Sequence, residues 1–142
     1  MNTPEFHKLE TLRFPLVNKL YKDHYPAGKA KRDEIIWVGE QNGTLIAAVR
    51  FKVIEESQLL TGMVVHSQHR RKNIASQFLY HLSEQLELYP CYCFALYELE
   101  GFYQRNGFIT IDSNELPHTL QQRFERYSSG KKLVPMLYKN GS

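Results

Sequence analysis

Cysteine is scarce in this chain: Cys91 and Cys93 are the only two. Two apart on an apolar run, they would share one face of a strand, too close in sequence for an ordinary disulfide staple. A single Cys-x-Cys pair offers two of the four ligands that a structural zinc takes. The six histidines show no ligand spacing that would complete the set. A disulfide scaffold and a zinc-organised domain are thereby excluded, no metal is expected, and small buried thiols in a reducing compartment are. Long apolar runs are absent too, so nothing approaches the roughly 20 residues that span a bilayer. The opening "MNTPEFHKLE" carries charge from Glu5 onward and has no apolar core of a secretory signal. Repeats and low-complexity segments are missing. The excess of one charge sign is small, +3, which suits an anionic ligand without amounting to a nucleic-acid footprint. Glu87, Glu98, Glu100 and Glu125 interrupt any continuous basic face, which ranks a nucleic-acid binder last. The expectation is a cytoplasmic protein with no membrane partner.

What is present fits one domain, residues 1–142, with 42% apolar residues to build a core. Helical spacing in "LETLRFPLVNKLYKDHY" predicts an N-terminal helix from Leu9, with Pro15 in a first turn or at a kink. "IIWVGEQNGTLIAAVRFKVI" predicts a hairpin, because Asn42-Gly43 tolerates the positive φ of a two-residue turn. "EESQ" reads as a second turn and "LLTGMVV" as a third strand. Ile74, Ala75, Phe78, Leu79, Leu82 and Leu86 then form one helical stripe. "CYCFALY" reads as a doubly buried strand. It is followed by a short helix ending at Gly107, the strand "FITID", the helix "LPHTLQQRFERY" and a last strand "LVPMLYK". Pro135 predicts an edge position for that last strand, which would leave an edge open for pairing with a second copy. The class is α/β: a mixed central sheet of antiparallel N-terminal strands and a parallel pair, flanked by helices.

Two segments carry chemistry. "HSQHRRKNIASQF" sits between a strand and a helix N-terminus, where backbone N–H groups and the positive end of the helix dipole converge. Such a junction binds phosphate readily. Arg70, Arg71 and Lys72 add attraction, and small Ala75 lets the backbone approach a ligand. Taken alone, a cationic loop is more often a solvated charge cluster. Downstream, "GFYQRNGF" puts Phe102 and Tyr103 on a short helix after a buried strand. A lone tyrosine there is more often a core residue with its hydroxyl satisfied.

Together the two segments resemble the signatures of the GNAT family of N-acetyltransferases. "RRKNIA" resembles the family's Gln/Arg-x-x-Gly-x-Gly/Ala acetyl-CoA motif, and "FYQRNGF" its second signature. Element order and spacing extend the resemblance over nearly the whole chain. Asn73 departs from the usual glycine; asparagine is the next most tolerant residue of a left-handed conformation.

The resemblance implies an enzyme that moves an acetyl group from acetyl-CoA, as co-substrate, to a primary amine of a small molecule or protein. It implies that the backbone of Met63, Val64 and Val65 pairs with the pantetheine arm. The pyrophosphate would take the N–H groups of Arg71, Lys72, Asn73, Ile74, Ala75 and Ser76, helped by the side chains of Arg70, Arg71 and Lys72. Tyr103 falls at the position of the general acid. Some relatives carry a glutamate base on the strand equivalent to Leu59–Val65, and this sequence has none there. His66, Glu98 and Glu100 are the titratable groups nearby, and a water relay is the default path. The alternative implied by Asn73 and the missing glutamate is a CoA-binding sensor without turnover.

Overall fold

The computed structural model describes residues 4–10, 13–25, 33–70 and 72–139. It opens with a strand, β1 (Glu5–Lys8), before any helix. The expected N-terminal helix is correspondingly shorter: α1 spans Phe14–His24 with Pro15 in its first turn. There the missing proline N–H costs no intrahelical bond. Leu9 is buried all the same, but from extended chain, its N–H donating to Ile36 O at 2.7 Å. The expected contribution of Leu12 lies outside the described residues.

β2 (Ile35–Gln41) and β3 (Thr44–Ile54) form the expected hairpin. Asn42 and Gly43 both take positive φ, 54° and 77°, as a type I′ turn requires. A second tight turn at Glu55-Glu56 leads into β4 (Ser57–Val65). The helix after β4 breaks in two, α2 (Ile74–His81) and α3 (Ser83–Leu88). Leu82 leaves the α-helical region (φ −94°, ψ 6°), and its N–H bonds Leu79 O, a tighter turn than α. There follow β5 (Cys91–Leu96), α4 (Glu100–Arg105), β6 (Phe108–Thr110), α5 (His118–Tyr127) and β7 (Leu133–Tyr138).

The seven strands make a mixed sheet in the order β1-β2-β3-β4-β5-β7-β6. β4 and β5 are its parallel pair, and Gln58 N–H donates to Pro90 O just before β5 starts. The expectation that Pro135 marks an edge is corrected. β7 lies between β5 and β6. A strand residue's N–H and C=O point to the same side. Pro135 O accepts from Ile111 N–H, so the missing donor falls on the β6 side, past the end of that three-residue strand. β7 therefore offers no edge for a second copy.

The chain divides into two compact units: Met1–Lys52 with Leu60–Leu82, and Val53–Leu59 with Ser83–Ser142. In the first, Val17, Leu20 and Tyr21 of α1 (spacing i, i+3, i+4) pack on Ile36, Val38, Ala48 and Val64 of the sheet. Phe6 of β1 stacks on Phe78 of α2 at 5.0 Å. In the second, Ile54 and Leu59 join Tyr92, Leu116 and Leu120. A buried amide pair belongs to this unit. Gln58 Nε2 donates to Gln85 O (2.7 Å) and Tyr89 O (3.2 Å), and Gln85 Nε2 donates to Gln58 Oε1 (2.8 Å).

Candidate active site

In the first unit the site elements run from the middle of β4 to the first turn of α2. Gly62 interrupts β4 at φ +64°, and a Cβ there would stand 2.5 Å from Arg50 Nε. Both conformation and space call for glycine. The interruption is held from below: Tyr21 Oη donates to Gly62 O at 2.7 Å. Arg50 stacks 5.2 Å over the Tyr21 ring and pairs with buried Glu34 at 3.5 Å. Burial, the largest influence, pushes the Tyr21 hydroxyl far above its ordinary range, so it stays a donor. Beyond this point Met63 and Val65 are half-buried and Val64 is buried in the core.

After Val65 the chain makes a single 3₁₀ turn, Ser67–His69. His66 Nδ1 accepts from Gln68 N–H (3.1 Å), and His24 Nδ1 accepts from Ser67 N–H (3.4 Å). An accepting Nδ1 leaves the neutral ring's proton on Nε2. The Nδ1 lone pair of His66 is thus already engaged by a backbone N–H, which speaks against it as a base. Arg70 spends Nε–H on Val65 O (3.0 Å) and Nη2–H on His24 O (3.1 Å). It braces the loop as well as adding positive charge. Arg71 lies outside the described residues. Lys72 and Asn73 are exposed, Ala75 and Ser76 are half-exposed, and Ile74 is buried.

Asn73 sits at the N-cap of α2 with φ 62° and ψ 22°. This is the left-handed conformation for which glycine is the usual choice, and asparagine supports it. Its side chain does not cap the helix, and no acidic residue occupies the first turn. The positive end of α2 is therefore not neutralised by its own sequence, and it suits an anion beside exposed Lys72.

In the second unit Tyr103 is buried on α4, packed edge-on against Phe102 (5.1 Å) and Phe108 (5.4 Å). Cys93 of β5, itself buried, lies near Tyr103. Burial pushes the Cys93 thiol up to about 12, with the Tyr103 side chain pulling the other way. Cys93 is thus a neutral thiol at ordinary pH. The sequence predicted its burial. Glu100 accepts from Thr110 Oγ1, a tie between α4 and β6, while Glu98 stays exposed. Among the described residues no group of His, Cys, Asp and Glu is arranged to hold a metal. Among them, too, no helix is long and apolar enough to cross a membrane.

The chain resembles known proteins in family and in fold. The profile described as acetyltransferase (GNAT) domain matches residues 32–110, more than half of the chain. No curated protein matches in sequence. Solved structures do. N-acetylglutamate synthase from Neisseria gonorrhoeae, complexed with coenzyme A and N-acetyl-glutamate, superposes with a TM-score of 0.76 at 15% identity, over 99% of this chain and 36% of that one. The chain thus spans about a third of the length of that synthase. The ribosomal-protein-S18-alanine N-acetyltransferase from Escherichia coli gives 0.70 at 15% identity, over 99% and 96% of the two chains. Arabidopsis thaliana Naa50, in complex with the bisubstrate analogue CoA-Ac-MVNAL, gives 0.67 at 13% identity, over 96% and 98%. At these identities the likeness is one of fold.

Proposed function

Because the chain belongs to the GNAT acetyltransferase family, we propose that it transfers an acetyl group from acetyl-CoA to a primary amine by direct attack. The observation that carries this reading is the left-handed Asn73 at the start of α2. The motif position that departs in sequence keeps the backbone conformation the motif needs. The pyrophosphate would rest on the N–H groups from Arg71 to Ser76, with Arg70, Arg71 and Lys72 as cations around it. The backbone of Met63, Val64 and Val65 would pair with the pantetheine arm, and a backbone N–H near Val65 would hold the developing oxyanion.

Three proton transfers accompany the attack. An alkylammonium, with a pKa near ~10.4, must lose one before attack. The strand from Leu59 to Val65 offers no carboxylate and His66 Nδ1 is taken up by Gln68 N–H, so water relays that proton in our reading. As the C–N bond forms the nitrogen sheds a second proton to solvent, and as the C–S bond breaks the departing thiolate must gain one or be stabilised by a donor. A phenol, pKa about 10, is matched to that task, and Tyr103 is the residue we assign. The acceptor is an amine of a small molecule or of a protein, and the protein works in the cytoplasm.

The test is thiol release from acetyl-CoA against a panel of amines. At least one amine should accelerate release over hydrolysis. Tyr103→Phe should still show a thermal shift with acetyl-CoA but lose most of kcat at neutral pH. A full-rate mutant with the parent pH profile refutes the assignment. Absence of amine-dependent release together with a retained thermal shift would instead favour a binding protein without turnover.

A further inference from the structure

A second feature of the first unit lies outside the motifs. A cavity of about 280 Å³ sits between α1 and the β2–β3 turn, bounded at one end by His66. Leu16, Leu20 and Leu45 give it an apolar lining, and Lys19, Asp23, His24 and His66 supply the polar part. The volume is that of a small ligand site.

The polar groups are mostly donors. The His24 and His66 rings stand 4.0 Å apart. Each has its Nδ1 occupied by a backbone N–H, from Ser67 and from Gln68. Each neutral ring therefore carries its proton on Nε2, and neither Nδ1 is left to bind a cation or accept from a ligand. The Asp23 carboxylate is already matched by Lys19 Nζ at 2.8 Å. The Arg70 guanidinium stands against the same corner through its bond to His24 O, so the local balance is positive. Apolar walls, paired imidazole donors and net positive charge together describe a receptor for an anion with a short hydrocarbon body.

We propose that this cavity binds a short-chain carboxylate, its hydrocarbon against Leu16, Leu20 and Leu45 and its oxygens on the Nε2–H groups of His24 and His66. The cavity lining shares no residue with the acetyl-CoA elements assigned above, from Met63 to Val65 and from Arg70 to Ser76, or with Tyr103; Arg70 adds only its charge from outside the lining. It stands whether or not that reading does.

The test uses the full chain at pH 8, where histidine with a pKa near ~6.5 is neutral, and omits acetyl-CoA. Histidine ¹⁵N spectra are followed while sodium butyrate is titrated. The Nε2 signals of His24 and His66 should move saturably, and acetate should bind more weakly than butyrate. Butylammonium, butyramide and inorganic phosphate should leave the signals in place. His24→Phe keeps a ring for stacking and removes one donor. It should weaken butyrate by roughly tenfold or more, the worth of a hydrogen bond to a charged group. Lys19→Glu, on an exposed side chain, tests the charge without risk to the core and should also weaken butyrate. The proposal is overturned if butylammonium, butyramide or phosphate binds as well as butyrate, if no titrant gives a saturable shift, or if both folded variants bind butyrate like the parent.

Discussion

At the scale of single residues, Asn73 decides how the family motif survives its change from glycine. Its φ of 62° lies where a Cβ costs about 1–2 kcal/mol for most residues, less for asparagine. Asn73→Gly should therefore hold the melting temperature within a few degrees and leave the KM for acetyl-CoA equal or lower. Asn73→Val, β-branched in the same conformation, should lose about 1–2 kcal/mol of stability and raise that KM. Denaturant unfolding with parallel steady-state kinetics reads both. A Val variant as stable as the parent would show that the left-handed cap is not held in solution. Tyr103 shows the limit of reading residues in a line. The motif located it, but Cys93 lies ten positions earlier on another element, and only the folded chain brings the two together.

At the scale of elements, the turn from His66 to Arg70 depends on neutral imidazoles. Two backbone N–H groups point at Nδ1 atoms, which protonation would convert from acceptors into donors. In line with this, His24 lies below its ordinary pKa, through burial first and the charge of His66 second. His69 does so through burial and then Lys72. A depressed pKa means that the unfolded chain binds protons more readily. The contribution is then complete above about pH 6.5 and is lost as pH falls through the lowered values. Thermal unfolding from pH 7.5 down to 5 should show a falling melting temperature, and His24→Gln should flatten that slope. An unchanged slope would remove His24 from the account.

Much at this scale was legible in the sequence. Asn42-Gly43 announced its hairpin, and the strand-to-helix junction at "HRRKNIAS" and the helix ending at Gly107 both appear where they were read. The failures have physical reasons. β1 is four residues long and earns its place by pairing with β2 and stacking Phe6 on Phe78, neither of which a local pattern records. The break at Leu82 left the apolar stripe in phase, so periodicity ran through it. Pro135 was read as an edge residue because its missing N–H could not be assigned a side. The cavity corner was invisible for another reason: 42 positions separate His24 from His66 in the chain.

At the scale of the whole molecule, the two units are not consecutive in sequence. The second takes Val53–Leu59 from the first half of the chain, and with it Ile54 and Leu59 of its core and Gln58 of its amide pair. A fragment of residues 83–142 lacks all three. It should show little cooperative unfolding by circular dichroism, whereas the intact chain should unfold in a defined transition. A cooperatively folded fragment would mean that the segment Val53–Leu59 is dispensable to its unit. The same segment bears on how the fold avoids errors. Gln58 and Gln85 bury their amides against each other and against backbone carbonyls. Sliding β4 by a single position would put Ser57 or Leu59 at that place and leave Gln85 dry, at a cost of about 1–3 kcal/mol. The pair thus works as a checksum on threading, and in related sequences the two positions are expected to change together or not at all.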